Sequence, residues 1–354
     1  MRKSLKKIGI TVLFSVASFI LSGKADACTR VVYKGPNNTV ITARSMDFTL
    51  EIPANLWLFP RGMQRNGSTG KNTVTWTAKY GSISTSSWDI AVSDGMNEKG
   101  LVANILWLVS SQYPEFSKEG NNNKKGLAVS LWAQYALDNF ATVAEAVEQF
   151  KKEDFVVVTD FIPGTDKYTT VHLSLSDANG DNAILEYIGG KLVIHHDPSY
   201  TVMTNDPIFE EQLAINEYWK GVPGNIFLPG TNRAADRFVR ASYYINAIPQ
   251  TDNTRIAIAG AFSVIRQCSV PYGISTEGFP NLSTTRWRTV ADQKNLVYYF
   301  EDALSPNAIW VDLNKMDFNQ KGKVKKLALD KQQIYAGETS DKFIENKPFT
   351  FQGI

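Results

Sequence analysis

The order of strand-like and helix-like runs is what most limits the folds open to this chain. Short β-branched or apolar runs come first, at 29–33, 39–43, 55–59, 74–80, 89–93 and 101–109. Two helical patterns follow. One spans 126–140, with Leu127, Leu131 and Tyr135 on one face. The other opens on the capping box Thr142-Val143-Ala144-Glu145 and ends near Lys152. Strand patterns return at 169–176, 183–188, 191–195 and 201–204. Helical patterns at 209–219, 234–248 and 255–264 precede late strands at 286–290, 296–300 and 308–311. There is no regular β-α-β alternation, which argues against a doubly wound parallel sheet. The pattern predicts an α+β fold, a four-layer α-β-β-α sandwich of two antiparallel sheets covered by helices.

The N-terminus carries a leader. Arg2, Lys3, Lys6 and Lys7 precede an apolar run at 8–21, and Ala25 and Ala27 occupy the small-residue positions of an A-x-A cleavage site. This predicts a signal peptide over 1–27, a single domain over 28–354, and a periplasmic or secreted location. The apolar run is short for a membrane span, and no later run is a better candidate. A lipoprotein leader is the rival reading. Cys28 would then be lipidated and the domain would be an anchored binding protein, although Ala25 stands where such leaders usually place Leu.

Of 354 residues, 43% are hydrophobic and the net charge is +2, as in an ordinary globular enzyme or binding domain. Basic residues are interleaved with acids, so nothing points to a nucleic-acid partner. Cys28 and Cys268 are the two cysteines. They form one disulfide, as in a disulfide-stabilised binding domain, or stay free, with Cys28 as a reactive thiol and Cys268 buried. His172, His195 and His196 match no zinc-ligand spacing and read as structural or surface residues.

Cleavage before Cys28 would give one residue both a thiol and a free α-amine. An α-amine titrates near about 8 and a thiol near about 8.5, so such a residue can supply its own base. Gly35-Pro36-Asn37-Asn38 is strong turn chemistry between 29–33 and 39–43. In that hairpin Arg44 and Asp47 fall just past the second strand, at the edge where Cys28 starts the first. Asp47 can orient an amine, and Arg44 can stabilise a thiolate or a charged intermediate. The bland reading of Arg44 and Asp47 is a surface ion pair.

Several segments now add up. Cys28-Thr29-Arg30 opens the domain and Thr42-Ala43-Arg44-Ser45-Met46-Asp47-Phe48 follows. Asp94-Gly95-Met96-Asn97-Glu98-Lys99-Gly100-Leu101 is read as a turn, and Val202-Met203-Thr204-Asn205-Asp206-Pro207 comes later. Leu228-Pro229-Gly230 precedes Arg237-Phe238-Val239-Arg240-Ala241, with weaker support from Ser269-Val270-Pro271 and Tyr298-Tyr299-Phe300. In this order they resemble the choloylglycine hydrolases, N-terminal-nucleophile hydrolases that include bile salt hydrolases and penicillin V acylases. The leader resembles that of the exported Gram-negative subgroup.

The resemblance implies a four-layer fold, a small-molecule amide substrate with an apolar acyl group, no cofactor or metal, and a homo-oligomer, commonly a tetramer. It implies that Cys28 is the nucleophile, with its α-amine as base. Asp47 would hold the amine, Arg44 would sit beside the thiol, and Asn205 would give a side-chain N–H to the oxyanion. Arg237 would belong to the charged network. Phe48 and Trp107 are the expected substrate contacts. Trp107 departs from the Asn or Tyr usual at its position, so its part in the oxyanion hole stays open. The expected substrate is a glycine- or taurine-conjugated bile salt, with penicillin V and N-acyl homoserine lactones as alternatives. The polar stretch 110–125 reads as a binding loop.

Overall fold

The computed structural model describes residues 27–119, 124–275, 283–305, 307–329 and 334–354. The leader at 1–26 and the centre of the expected loop at 110–125 lie outside them. Strand β1 (Cys28–Gly35) and strand β2 (Thr39–Phe48) form an antiparallel hairpin. Asn37 and Asn38 make its turn with φ of 55° and 56°, a left-handed conformation that Asn tolerates. β2 runs on to Phe48, so Arg44 and Asp47 lie inside the strand rather than past its end. Met46 stands opposite Cys28.

The hairpin sits inside a seven-stranded sheet. Val202–Met203 flanks β1, and Thr284–Asp292 flanks β2, followed outward by Val297–Asp302, Ala308–Asp312 and Gly337–Glu338. The last pair is parallel and the rest antiparallel. A nine-stranded antiparallel sheet faces it. Its order is Lys191–His196, Asn182–Ile188, Val171–Ser176, Val102–Trp107, Ala91–Asn97, Ser82–Ser87, Asn55–Phe59, Lys325–Ala328 and Ile344–Glu345.

Helices α1 (Trp132–Asn139) and α2 (Val143–Lys151) cover the second sheet, and α4 (Ala234–Ala247) and α5 (Thr254–Gln267) cover the first. The α3 helix (Phe209–Lys220) packs beside α4. One buried core lies between the sheets and under α4 and α5, and a second lies under α1 and α2. The four layers are those expected. Thr142 caps α2 by accepting from Glu145 N–H, and Glu145 in turn accepts from Ala141 N–H.

Some local expectations fail for physical reasons. The segment read as helix from 126 begins as a strand, Lys125–Ala128, paired in parallel with the unexpected strand Phe155–Val158. A Cβ on Gly126 would lie 2.5 Å from Thr69 Oγ1, so that strand makes a close contact only glycine allows. The strand read at 74–80 shrinks to Thr75–Thr77. Ser82–Ser87 was hidden because all its side chains but Ile83 are hydroxyls, yet every residue in it is buried. Those hydroxyls are matched: Ser84 donates to Gln134, Ser86 to the Asn55 carbonyl, and Thr85 pairs with Tyr298. Finally, Asp94 to Asn97 belong to the strand Ala91–Asn97 and only the residues after them turn.

Candidate active site

Cys28 begins β1 and is 3% exposed. Its thiol lies 3.7 Å from Arg44 Nη2, 3.7 Å from the Asp47 carbonyl and 3.9 Å from Met46 Sδ. Alternation along β2 places Arg44 and Met46 on the thiol's side. Arg44 is fully buried and does not pair with Asp47. Its Nη1 donates to Asp94 Oδ2 at 2.7 Å and its Nη2 to the Ile105 carbonyl at 2.9 Å. Asp94 also accepts from Asn104 Nδ2 and Trp287 Nε1. The surface ion pair read as the bland alternative is thus replaced by a buried pair whose acid comes from the opposite sheet. Asp94 was visible in the sequence as part of a supposed turn; inside a strand, its carboxylate points into the site.

Asp47 is also fully buried. Its carboxylate accepts from the hydroxyls of Ser45 and Thr285. Burial pushes the carboxyl up to about 6, against the opposing pull of Arg237, the Thr285 hydroxyl, Arg44 and Ser45. Burial likewise raises the Cys28 thiol; Arg44 and Arg237 pull it down and the Asp47 charge pushes it up. Asn205 is held on both ends of its carboxamide. Oδ1 accepts from Cys28 N–H at 2.6 Å and from Arg237 Nη2 at 2.7 Å, while Nδ2 donates to the Trp107 carbonyl at 2.7 Å. Arg237, on α4, also donates to the Cys28 carbonyl, to Thr29 Oγ1 at 2.6 Å and to the Asn232 carbonyl at 2.9 Å. Arg44, Asn205 and Arg237 therefore converge on Cys28 at the start of β1, with the Asp47 backbone carbonyl beside the thiol.

Behind Asn205 lies a group that the sequence reading passed over as structural. His172 donates toward Glu186 Oε1 at 2.8 Å and toward the Thr204 carbonyl at 2.8 Å. Glu186 also meets His195 Nε2 at 3.4 Å and accepts from Phe209 N–H. Burial would raise the Glu186 carboxyl, but the two imidazoles and the Phe209 amide outweigh it and hold it at about 2. This hydrogen-bonded pair clamps Thr204, the residue before Asn205. Alternation along Val171–Ser176 puts His172 on the face opposite Val171, Leu173 and Leu175, and it is the facing sheet that buries that face.

Both cysteines are free and buried, which removes the disulfide reading. Burial pushes the Cys268 thiol up to about 11, leaving it inert. Cys28 opens onto a cavity of about 120 Å³. Phe48, Ile52, Trp88, Trp107 and Ile162 line it, with Arg44 at the thiol. The Phe48 ring meets those of Trp88 and Trp107 edge-on at 6.2 and 6.0 Å. Phe48 and Trp107 thus stand where substrate contacts were expected. Among the described residues no helix is long and apolar enough to cross a membrane.

Comparison with known proteins agrees with this geometry. Residues 28–326 match the model of the linear amide C–N hydrolases, choloylglycine hydrolase family, and the match begins at Cys28. This chain belongs to the choloylglycine hydrolase family. It is 48% identical to a penicillin V acylase of Pectobacterium atrosepticum, each chain covered over its whole length. A penicillin V acylase structure from Agrobacterium tumefaciens is 54% identical, with a TM-score of 0.86, covering 92% of this chain and all of the other. A bile salt hydrolase/transferase of Clostridium perfringens is 24% identical, covering 81% of this chain and 93% of its own. The choloylglycine hydrolase fold is an N-terminal-nucleophile fold, and this chain is an amidohydrolase acting on linear C–N bonds other than peptide bonds.

Proposed function

We propose that the chain is an exported acylase whose preferred substrate carries a flat apolar acyl group, with penicillin V as the leading candidate. The observation that carries this is the aromatic cavity at the Cys28 thiol: Trp88, Trp107 and Phe48 offer edges and faces suited to an aryl ring. The 48% and 54% identities to two penicillin V acylases support it. Those relatives move the first choice away from the conjugated bile salt that the sequence favoured.

In this reading, cleavage before Cys28 frees the α-amine, which takes the thiol proton directly or through a water. The thiolate attacks the amide carbon, forming a C–S bond. The C–N bond then breaks as the α-ammonium gives its proton to the leaving nitrogen. Water hydrolyses the thioester, releasing the acid and restoring the thiol. Asp47 supports the ammonium electrostatically and Arg44 the thiolate. The Asn205 amide has two N–H bonds. One is spent on Trp107, which orients the group, and the other is available to the oxyanion. Arg237 locks Asn205 and β1 together.

Side-by-side kcat/KM values for penicillin V, glycocholate, taurocholate and a long-chain acyl homoserine lactone test the substrate. Preference for either bile salt by about tenfold or more would overturn it. N-terminal sequencing and intact mass of exported protein test maturation, since a lipidated Cys28 removes both the thiol and the amine. A homo-oligomer is part of the proposal, supported by exposed Tyr218, Ile226 and Phe227 around α3; sedimentation at low micromolar concentration reads it.

A further inference from the structure

We infer that the segment 349–354 limits the size of the acyl group admitted to the Cys28 cavity, with Gln352 as the specificity-determining residue. The inference rests on the acylase reading of that cavity. The segment lies beyond the residues matched by the family, 28–326. It is anchored by packing. Phe349 meets Trp57 and Phe59 at 5.2 and 5.9 Å and Phe351 at 4.6 Å, and the Arg65 guanidinium lies 5.4 Å from the Phe351 ring centre. Beyond this cluster Ile354 N–H donates to the Ser68 carbonyl at 3.0 Å. A Cβ on Gly353 would stand 2.4 Å from that carbonyl oxygen, so the backbones touch as closely as glycine permits.

Between these anchors Gln352 reaches the cavity and ties three separate parts of its wall together. Its N–H donates to the Ile90 carbonyl at 2.8 Å. Its carbonyl accepts from Ser130 Oγ at 2.6 Å, and its Nε2 donates to the Phe161 carbonyl at 2.7 Å. Ile90, Ser130, Ile162 and Gln352 all line the cavity that holds the Cys28 thiol. The 159–169 stretch that carries Phe161 and Ile162 is otherwise held by bonds within itself, including Ile162 N–H to the Lys167 carbonyl and Thr159 Oγ1 to the Thr169 carbonyl. Among the described residues, the Gln352 side chain is therefore the hydrogen-bonded tie of this wall to the facing ones, added to the packing of Ile162 in the core between the sheets. A wall fixed by a hydrogen bond rejects an acyl group that would have to push it outward.

The test uses the mature chain, Gln352→Ala, and Gln352→Glu, which keeps the length but sets a carboxylate against the Phe161 carbonyl. Calorimetry measures Kd for phenoxyacetate and for straight-chain acids from butyrate to dodecanoate, and kcat/KM is measured for amides of the same acids. Both variants are expected to shift the large-to-small ratio toward large acyl groups by about fivefold or more, the scale on which a hydrophobic pocket discriminates. Unchanged ratios in both variants overturn the inference, as does a wild-type chain that binds none of the acids. A wild-type chain that hydrolyses none of the amides sinks the acylase reading instead, while the acid-binding ratios still decide the role of Gln352.

Discussion

On the β2 side of Cys28, Arg44, Asp94, Asp47, Asn205 and Arg237 are buried and joined by directed bonds from both sheets and α4. On the cavity side, the Phe48 ring meets those of Trp88 and Trp107, and Ile162 lines the same apolar wall. The difference teaches how the labour is divided. Directed bonds in a low-dielectric setting fix charges to fractions of an ångström and tolerate little change. Apolar walls are defined by shape and area, and a substitution there alters what fits rather than whether the chemistry runs.

The sharpest way to break that division is Cys28→Ala. It is expected to fold and to lose at least about 10⁴-fold in kcat, as nucleophile removal does elsewhere; circular dichroism and turnover check both halves. Next comes Arg44→Leu. It leaves Asp94 buried and unpaired, which costs about 3–5 kcal/mol and should appear as a clear drop in Tm as well as activity. His172→Ala probes the polar side at one remove. Loss of the clamp on Thr204 is expected to lower kcat by about 10- to 100-fold, the scale of a small misplacement of a reacting group, with little change in KM.

Smaller in effect is Thr285→Val. In the proposed mechanism an ionised Asp47 supports the α-ammonium, so activity is expected to fall as pH drops through about 6. The Thr285 hydroxyl stabilises the carboxylate, so removing it raises the Asp47 pKa further. The acid limb of kcat/KM should therefore move to higher pH, by about one unit or less. The smallest effect on the chemistry belongs to the apolar side. Trp107→Phe should raise KM for penicillin V by about two- to tenfold and leave kcat within about twofold. A large kcat loss there would mean that the two sides are not separable.

The hairpin and the α2 cap were legible because turn residues and capping boxes act locally. Strand series without helical crossovers also gave the layers. The Ser82–Ser87 strand was not legible, since its burial is offset by partners from elsewhere in the chain, Gln134, Asn55 and Tyr298 among them. The site divides the same way. Cys28 and Arg44 were brought together by strand pairing, which sequence can anticipate. That Arg44 would choose Asp94, and that His172 would brace Thr204, depends on how two sheets face each other, and no local pattern encodes it.

Ala27 is only 2% exposed, and the amide N–H that follows it is already committed to Asn205. A peptidase needs several residues drawn out in its cleft, and a docked β1 offers none. In the maturation proposed above, removal of the leader would therefore come before the two sheets close, while the junction is still a free strand. On the same proposal, a chain that folded with its leader attached would stay a zymogen that its own stability protects from activation. On the proposed maturation, the rate of folding after translocation would itself control how much enzyme is made.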